Sequence, residues 1–536
     1  MANGDVVQER TGIEKRSLRL SASGVRTLAP WLVIGLWTLA EVAVASVRPG
    51  ELLELALMAI TGAAAWPLVL HRRARPAEVA LGATAFAAPL LATWPAQTFT
   101  GHLGFHAPLP LALLAPSSLL VLAALGFAVR ERAAVARPPL LAAGGAALLL
   151  LGGAIAGAAS TQPQAALGDW WLSFVVPIGF GALVAWRVRT PDRGWRLLLA
   201  AVAAAVVPAI VGIAAYVLEF GLPHSGEDLV LAKQILVRPF LFQQVTFGNV
   251  GHAADFALLL LPAAALGMTV RGMPRLARLA AAVATGALTV LVVFAMSRAV
   301  LVLAAAALIG AGGLLFFARR YRFAAVAAVG LALVGGTLTS SATRSSVAEL
   351  RPGAKPGATF VFPTNGGKPV ATPAPKPGPN APVLPGTKVR VTDTSELMRL
   401  GALDTGVRVF RDHAPFGVGS GQYPRYDPVH TAPHSLALLV LAEDGAIGAA
   451  GLGLLLLFLL VEGVVVIRRM ERDLGSADLL RLACLGGALL YVVHGFAAGA
   501  PLTLGDANVW AMLFWLEVGI VAGLRMWPRE EAGRVA

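Results

Sequence analysis

An all-α polytopic membrane protein is the fold class this sequence predicts, and three observations predict it. Hydrophobic residues make up 57% of the 536-residue chain and charged residues only 14%, too little polar surface for a soluble fold of this length. The apolar residues gather in runs of span length, about 20 residues each. Short basic clusters separate those runs in an alternating order, as cytoplasmic loops do. Spanning sheets with open edges are excluded, because lipid offers their backbone no hydrogen-bond partner. The 58 glycines suit helices that approach closely in lipid.

The first 28 residues are polar and include Arg10, Lys15, Arg16, Arg19 and Arg26. They read as an uncleaved cytoplasmic tail, since the apolar run that follows is full span length and many others come after it. Candidate spans then fall at 29–47, 51–70, 77–94, 108–129, 139–158, 171–186, 197–218, 252–270, 279–296, 299–317, 323–338, 446–467, 479–498 and 508–525. The count is about 12–14, because two pairs are nearly continuous.

With the N-terminus inside, every second loop is expected to be basic. The clusters "HRRAR", "RERAAVAR", "RVRTPDRGWR", "RGMPRLAR", "ARRYR", "RRMER" and the C-terminal "RMWPREEAGR" all fall on that side. Intervening loops such as "STQPQAALGD" and "PLTLGDA" carry almost no basic residues. Both termini are therefore expected in the cytoplasm. The net charge of +13 follows from these topology signals and does not require a nucleic-acid partner. The single cysteine, Cys484, excludes an intramolecular disulfide.

The domain organisation expected is a tail at 1–28, an N-terminal transmembrane bundle at 29–234, further spans at 235–338, a periplasmic loop at 339–433, a C-terminal transmembrane region at 434–525 and a tail at 526–536. Within the loop, 352–388 is rich in Pro and Gly without helical or alternating pattern and reads as a disordered insert. From about Ser395 an amphipathic helix is expected, with Leu397, Leu400, Leu403, Val407 and Phe410 at helical spacing. Pro415 ends it, and a glycine-rich turn follows.

Chemistry-bearing residues converge on the outer face under this topology. Arg298 stands at a tight outer hairpin, where it faces protein or an anion, or snorkels to the headgroups. Arg238 lies in the outer loop before the eighth span, and Asn249, His252 and Asp255 follow near the bilayer boundary, where polar groups line cavities, pair with each other or anchor the interface. His434 begins "HSLALLVLAEDGAIG": His-Ser, nine residues, then Gly445-x-x-Gly448. That pattern predicts a helix of about 16 Å running from the histidine to a glycine break. A neutral imidazole can take a proton from a hydroxyl, although a lone histidine is more often structural. His430 and His434 could also share a helix face as metal ligands, but Pro433 disfavours helix between them and only Asp427 lies near enough to add a ligand. No metal site is assigned.

Together, His434, Ser435, Gly445 and Gly448, the preceding "RDHAPFGVGSGQY" with Gly417 and Gly419, and the upstream "FGNVGHAADFALLLLP" and "SRAVLVLAA" make the sequence resemble the bacterial O-antigen ligase family, whose superfamily includes O-antigen polymerases. The resemblance covers residues 235–525 and departs from the family pattern at "GNVGH" and in the Pro-rich insert. It implies transfer of a preassembled glycan from undecaprenyl diphosphate to an acceptor hydroxyl, such as a lipid A core sugar, at the periplasmic face of the inner membrane. No nucleotide sugar, cofactor or required metal is implied. Under it His434 is the expected base, and Arg298 and Arg238, then Arg399 and Arg408, are expected to bind the diphosphate. His430, Ser435, Gly417, Gly419, Gly445, Gly448, Asn249 and His252 are expected to shape the pocket. One direct attack would invert the anomeric centre. A ligase and a polymerase share this donor chemistry. A lipid-linked oligosaccharide transporter is the competing reading, and it expects charged groups deep in several spans, for which Glu41, Glu54, Glu462, His494 and Glu517 are the candidates.

Overall fold

The computed structural model describes residues 76–90, 108–113, 115–131, 137–220, 250–270, 272–295, 298–317, 394–427, 433, 435–469, 475–498 and 508–526. They form helices joined by turns. The longer ones are α1 (Pro76–Leu90), α2 (Pro116–Arg130), α3 (Leu140–Ala159), α4 (Pro163–Trp170), α5 (Val176–Arg187), α6 (Pro191–Phe220), α7 (Val250–Gly267), α8 (Arg275–Ala295), α9 (Arg298–Phe317), α10 (Thr394–His413), α11 (Leu436–Arg469), α12 (Ser476–Ala498) and α13 (Asn508–Arg525). Six helical segments are long and apolar enough to cross a membrane, with shorter apolar helices beside them. The protein is an all-α, multi-pass membrane protein. The spans expected at 29–47, 51–70 and 323–338, and the insert at 352–388, lie outside the described residues.

One boundary differs from expectation for a local reason. The stretch "STQPQAALGD" was expected as a loop, yet α4 begins inside it at Pro163, because proline fixes a helical φ where no N–H is needed. α4 then continues through a π-helical turn, Trp171–Val175, into α5, and the Val176 N–H reaches the Trp171 carbonyl five residues back. Pro177, which offers no N–H, follows directly. α11 runs from Leu436 to Arg469 and bends at Gly445, where φ is 71° and ψ −168°, at the glycine break the sequence leads one to expect.

α7 lies at the centre. Its residues from Ala253 to Ala264 are almost wholly buried, and α6, α8, α9, α12 and α13 all pack on it. At the periphery, glycines set how close helices come. A Cβ at Gly152 of α3 would lie 2.4 Å from the Gly448 N of α11, and one at Gly451 would lie 2.6 Å from the Leu149 N. The two backbones therefore touch, as lipid-embedded helices do when small residues face each other. α5 and α13 meet in the same way at Gly181 and Gly519.

Indole N–H groups tie helices together where no water competes. Trp170 donates to the Leu150 carbonyl at 3.1 Å, Trp195 to Ser476 O at 3.1 Å and Trp510 to His252 O at 2.9 Å. Several arginine–carboxylate pairs gather at one end of the bundle. Arg187 at the end of α5 pairs with Glu131, which also accepts the Ala77 N–H at 2.9 Å. Arg193 meets Glu78 at 3.2 Å, Arg525 meets Glu462 at 3.3 Å, and Arg481 donates to Leu524 O at 2.7 Å. Arg187, Arg193, Arg481 and Arg525 thus share one end of the bundle, and the glycine-rich turn occupies the other.

Candidate functional site

The turn that follows α10 is built on glycines because its backbone needs them. Gly417, Gly419 and Gly421 have φ of 83°, 100° and 71°, values that side chains oppose. Their Cβ positions are also occupied. One at Gly417 would lie 2.5 Å from Glu443 O, one at Gly419 would lie 3.0 Å from Ser160 and Ala166, and one at Gly421 would lie 2.3 Å from an Asp169 carboxylate oxygen. The turn is wedged between the α3–α4 junction and the bend in α11.

That bend supplies the turn's partners. Where Gly445 departs from helical geometry, the carbonyls before it are freed, and the turn takes them up. The Val418 N–H donates to Ala442 O and the Gly419 N–H to Glu443 O, each at 2.9 Å, while the Ala446 N–H donates back to Pro415 O at 2.8 Å. Side chains complete the join. The Ser420 hydroxyl donates to Asp444 Oδ1 at 2.7 Å, and the Tyr423 N–H donates to Glu443 Oε1 at 3.1 Å. Buried polar groups are thereby matched to each other. Tyr423 also reaches down to α10, its hydroxyl 3.1 Å from Ala402 O and 3.3 Å from Asp427 Oδ2. Burial, and then the Asp427 carboxylate, push the Tyr423 phenol well above its ordinary pKa, with Arg408 acting in the opposite sense.

The helix expected before this turn is present as α10, but with a different inner face. Val407 is 55% exposed, whereas Ala402, Gly406 and Val409 are buried, Gly406 against Pro433 and Leu438. The inward stripe is therefore made of small residues that let α10 lie close to the start of α11. The larger residues of the expected stripe, Leu403 and Phe410, are only half-buried.

Of the residues expected to act, the structure brings Gly417, Gly419, Gly445 and Gly448 together in one assembly. Gly445 makes the bend, and Gly448 lets α3 approach. Ser435 stands before α11, its carbonyl accepting the Leu439 N–H at 2.9 Å. Arg408 is exposed on α10. Arg399 lies within α10, and Arg298 is the first residue of α9. His434, His430, Arg238 and Asn249 lie outside the described residues. His252 belongs to a second cluster at the start of α7. Its ring meets Trp510 edge-on with 5.3 Å between centroids, and Asp255, one turn on, lies 2.5 Å from His494 Nδ1 of α12.

Sequence reasoning did not assign the carboxylates around the turn. Asp169, Asp427, Glu443 and Asp444 are all buried there. A signal for Glu443 and Asp444 existed, since two acids within an apolar run must find partners. From the sequence neither of them takes a role, since Glu443 is more than two turns from His434. Of the candidates for the transporter reading, most lie near expected span ends or have no partner evident from the sequence. In the structure Glu462 meets Arg525 at the end of the bundle, and His494 meets Asp255.

Residues 280–453, about a third of the chain, match the family model described as O-Antigen ligase. That stretch is similar to an O-antigen ligase domain. That domain runs from α8 through α9 and α10 to the bend of α11, so it contains the glycine turn, His434 and the Gly445-x-x-Gly448 break. The upstream "GNVGHAADF" segment lies before the matched region. No curated protein matches the chain individually.

Proposed function

We propose that this protein transfers a glycan from undecaprenyl diphosphate to an acceptor hydroxyl, a lipid A core sugar, on the periplasmic face of the inner membrane. The observation that carries this reading is the O-antigen ligase domain spanning His434 and the bend at Gly445, which the glycine turn clasps. In the reaction the bond from the anomeric carbon to the diphosphate breaks, and a bond from that carbon to the acceptor oxygen forms. The diphosphate leaves with the bonding electrons, and the acceptor proton passes to the His434 imidazole.

Charge placement supports separate sides of one face for donor and acceptor. The carboxylates Asp169, Asp427, Glu443 and Asp444 surround the glycine turn, and a diphosphate there would meet like charge. The starts of α7 and α9 carry His252 and Arg298, and helix N-termini favour anions. The diphosphate is therefore assigned to Arg298 and Arg238, with Arg399 and Arg408 of α10 as weaker candidates. The acceptor approaches near His434, with His430 as a contact. The ends of the bundle carrying the ion pairs and both termini are assigned to the cytoplasm.

The test is a deletion strain carrying the wild-type gene or His434→Ala at matched protein level, with gel analysis of surface glycans and extraction of carrier-linked glycan. Loss of the lipid A-linked ladder, with long chains accumulating on the carrier, is expected. Accumulation of single repeats on the carrier would assign a polymerase instead. Full restoration by His434→Ala would remove His434 from the mechanism and favour transport.

A further inference from the structure

The outer end of α7 is fixed at two points one turn apart. Trp510 of α13 donates to the His252 carbonyl and packs on its imidazole. Asp255 meets His494 of α12 at 2.5 Å, with side chains 4% and 3% exposed. Behind this pair, Tyr491 lies three residues before His494 on the same face of α12. The His494 Nε2 and the Tyr491 hydroxyl are buried with no hydrogen-bond partner among the described residues. Glu517 of α13 is wholly buried deeper along the same seam, its carboxylate beside Gly487 of α12.

A hydrogen-bonded Asp–His pair inside an apolar bundle is a costly way to hold two helices. Leucines of similar volume hold them at least as firmly. What a short, directional contact adds is register, because it permits one axial position of α7 against α12 where an apolar seam tolerates several. The register has a use at this place. α7 and α9 are separated in sequence by one helix and pack on each other, and both pack on α12. They run parallel, so their first turns, with His252 on one and Arg298 on the other, open at the same end of the bundle.

We propose that Asp255 and His494 are positioning residues for the donor: the pair locks the start of α7 in the register that sets His252 beside the start of α9, where the diphosphate is held. This rests on the transfer reading given above. The pair touches no reacting atom. Its loss therefore weakens the grip on the donor more than it slows the chemical step, and it appears in KM rather than in kcat.

The experiment uses the full chain in proteoliposomes with a polyprenyl-diphosphate-linked oligosaccharide as donor, and compares wild type, Asp255→Asn, His494→Gln, their double variant and the exchanged pair Asp255→His/His494→Asp. Each single variant is expected to raise donor KM about tenfold or more with kcat within about threefold of wild type. The double variant is expected to be no worse than the poorer single one, and the exchanged pair to recover a substantial part of the loss. Unchanged donor KM in single variants that fold, or lowered thermal stability with KM unmoved, overturns the proposal. If the singles do not fold, the exchanged pair decides: folding with wild-type donor KM supports positioning, and folding with KM still raised overturns it, as does failure to fold. Wild-type protein without transfer activity overturns the transfer reading itself, and the donor role with it.

Discussion

Replacing Gly445 by alanine isolates the bend on which the candidate site depends. At φ 71° and ψ −168° the residue occupies a region that is almost the preserve of glycine, and holding another residue there costs about 1–3 kcal/mol. The added methyl would lie 2.3 Å from Pro415 O and 2.5 Å from the Phe416 carbonyl carbon, both backbone atoms of the turn. Overpacking of that kind costs about 1–3 kcal/mol more. The turn cannot retreat without stretching the bond from Ala446 N–H to Pro415 O, which is 2.8 Å long. The loss expected is therefore about 2–6 kcal/mol. Gly453→Ala, one helical segment further on, is the control. Nothing lies within 4 Å of its Cβ position, so it is expected to gain up to about 1 kcal/mol through helix propensity. Both variants are to be unfolded from lipid–detergent micelles by titration with a denaturing detergent, with glycan transfer measured in parallel. A Gly445→Ala protein within about 0.5 kcal/mol of wild type would refute the claim that the bend needs glycine.

Gly152→Ala places a methyl 2.4 Å from the Gly448 N and is expected to cost about 1–3 kcal/mol in the same unfolding assay, while Gly126→Ala, whose Cβ would meet nothing, is expected to gain up to about 1 kcal/mol. Arg187→Met leaves Glu131 without its guanidinium at a nearly buried position and is expected to cost about 3–5 kcal/mol, while the double variant Glu131→Leu/Arg187→Met recovers most of that in a double-mutant cycle. Tyr423→Phe is expected to cost about 0.5–1.5 kcal/mol at neutral pH through its lost hydrogen bond. It also changes the alkaline limb of stability. The folded phenol holds its proton more tightly than the unfolded one, so the stabilisation is complete below pH about 10 and is lost as pH rises from there through the folded pKa. Unfolding measured across that range should fall less steeply for the phenylalanine variant.

Much of the helical framework was legible because lipid leaves little choice. Apolar runs of span length must be helical, and alternating basic loops order them, so α3, α9 and α13 begin and end within a residue or so of their expected limits. Gly445 was legible as a break because glycine in a helix interior is costly without a purpose. What could not be read were contacts between distant positions. Ser420 and Asp444 are 24 residues apart, and Asp255 and His494 are 239 apart. No local pattern announces such pairs. The inner face of α10 misled for another reason. Helical spacing alone favours its large residues, while the surface waiting for it, Pro433 and Leu438, admits only Gly406 and its small neighbours. The polar loop before α5 failed similarly, since its composition outweighed the helix-starting proline at 163.

The glycine contact between α3 and α11 also imposes a timetable on biosynthesis. Gly152 and Gly448 meet in the finished protein, but nearly three hundred residues separate them along the chain. At about 5–20 residues per second a ribosome needs on the order of 15–60 s to make that interval. Throughout it, the groove on α3 faces lipid or a temporary neighbour. The newborn chain must therefore keep one of its closest seams open until α11 arrives, and the end of the bundle that holds the glycine turn closes among the last parts of the molecule to be made.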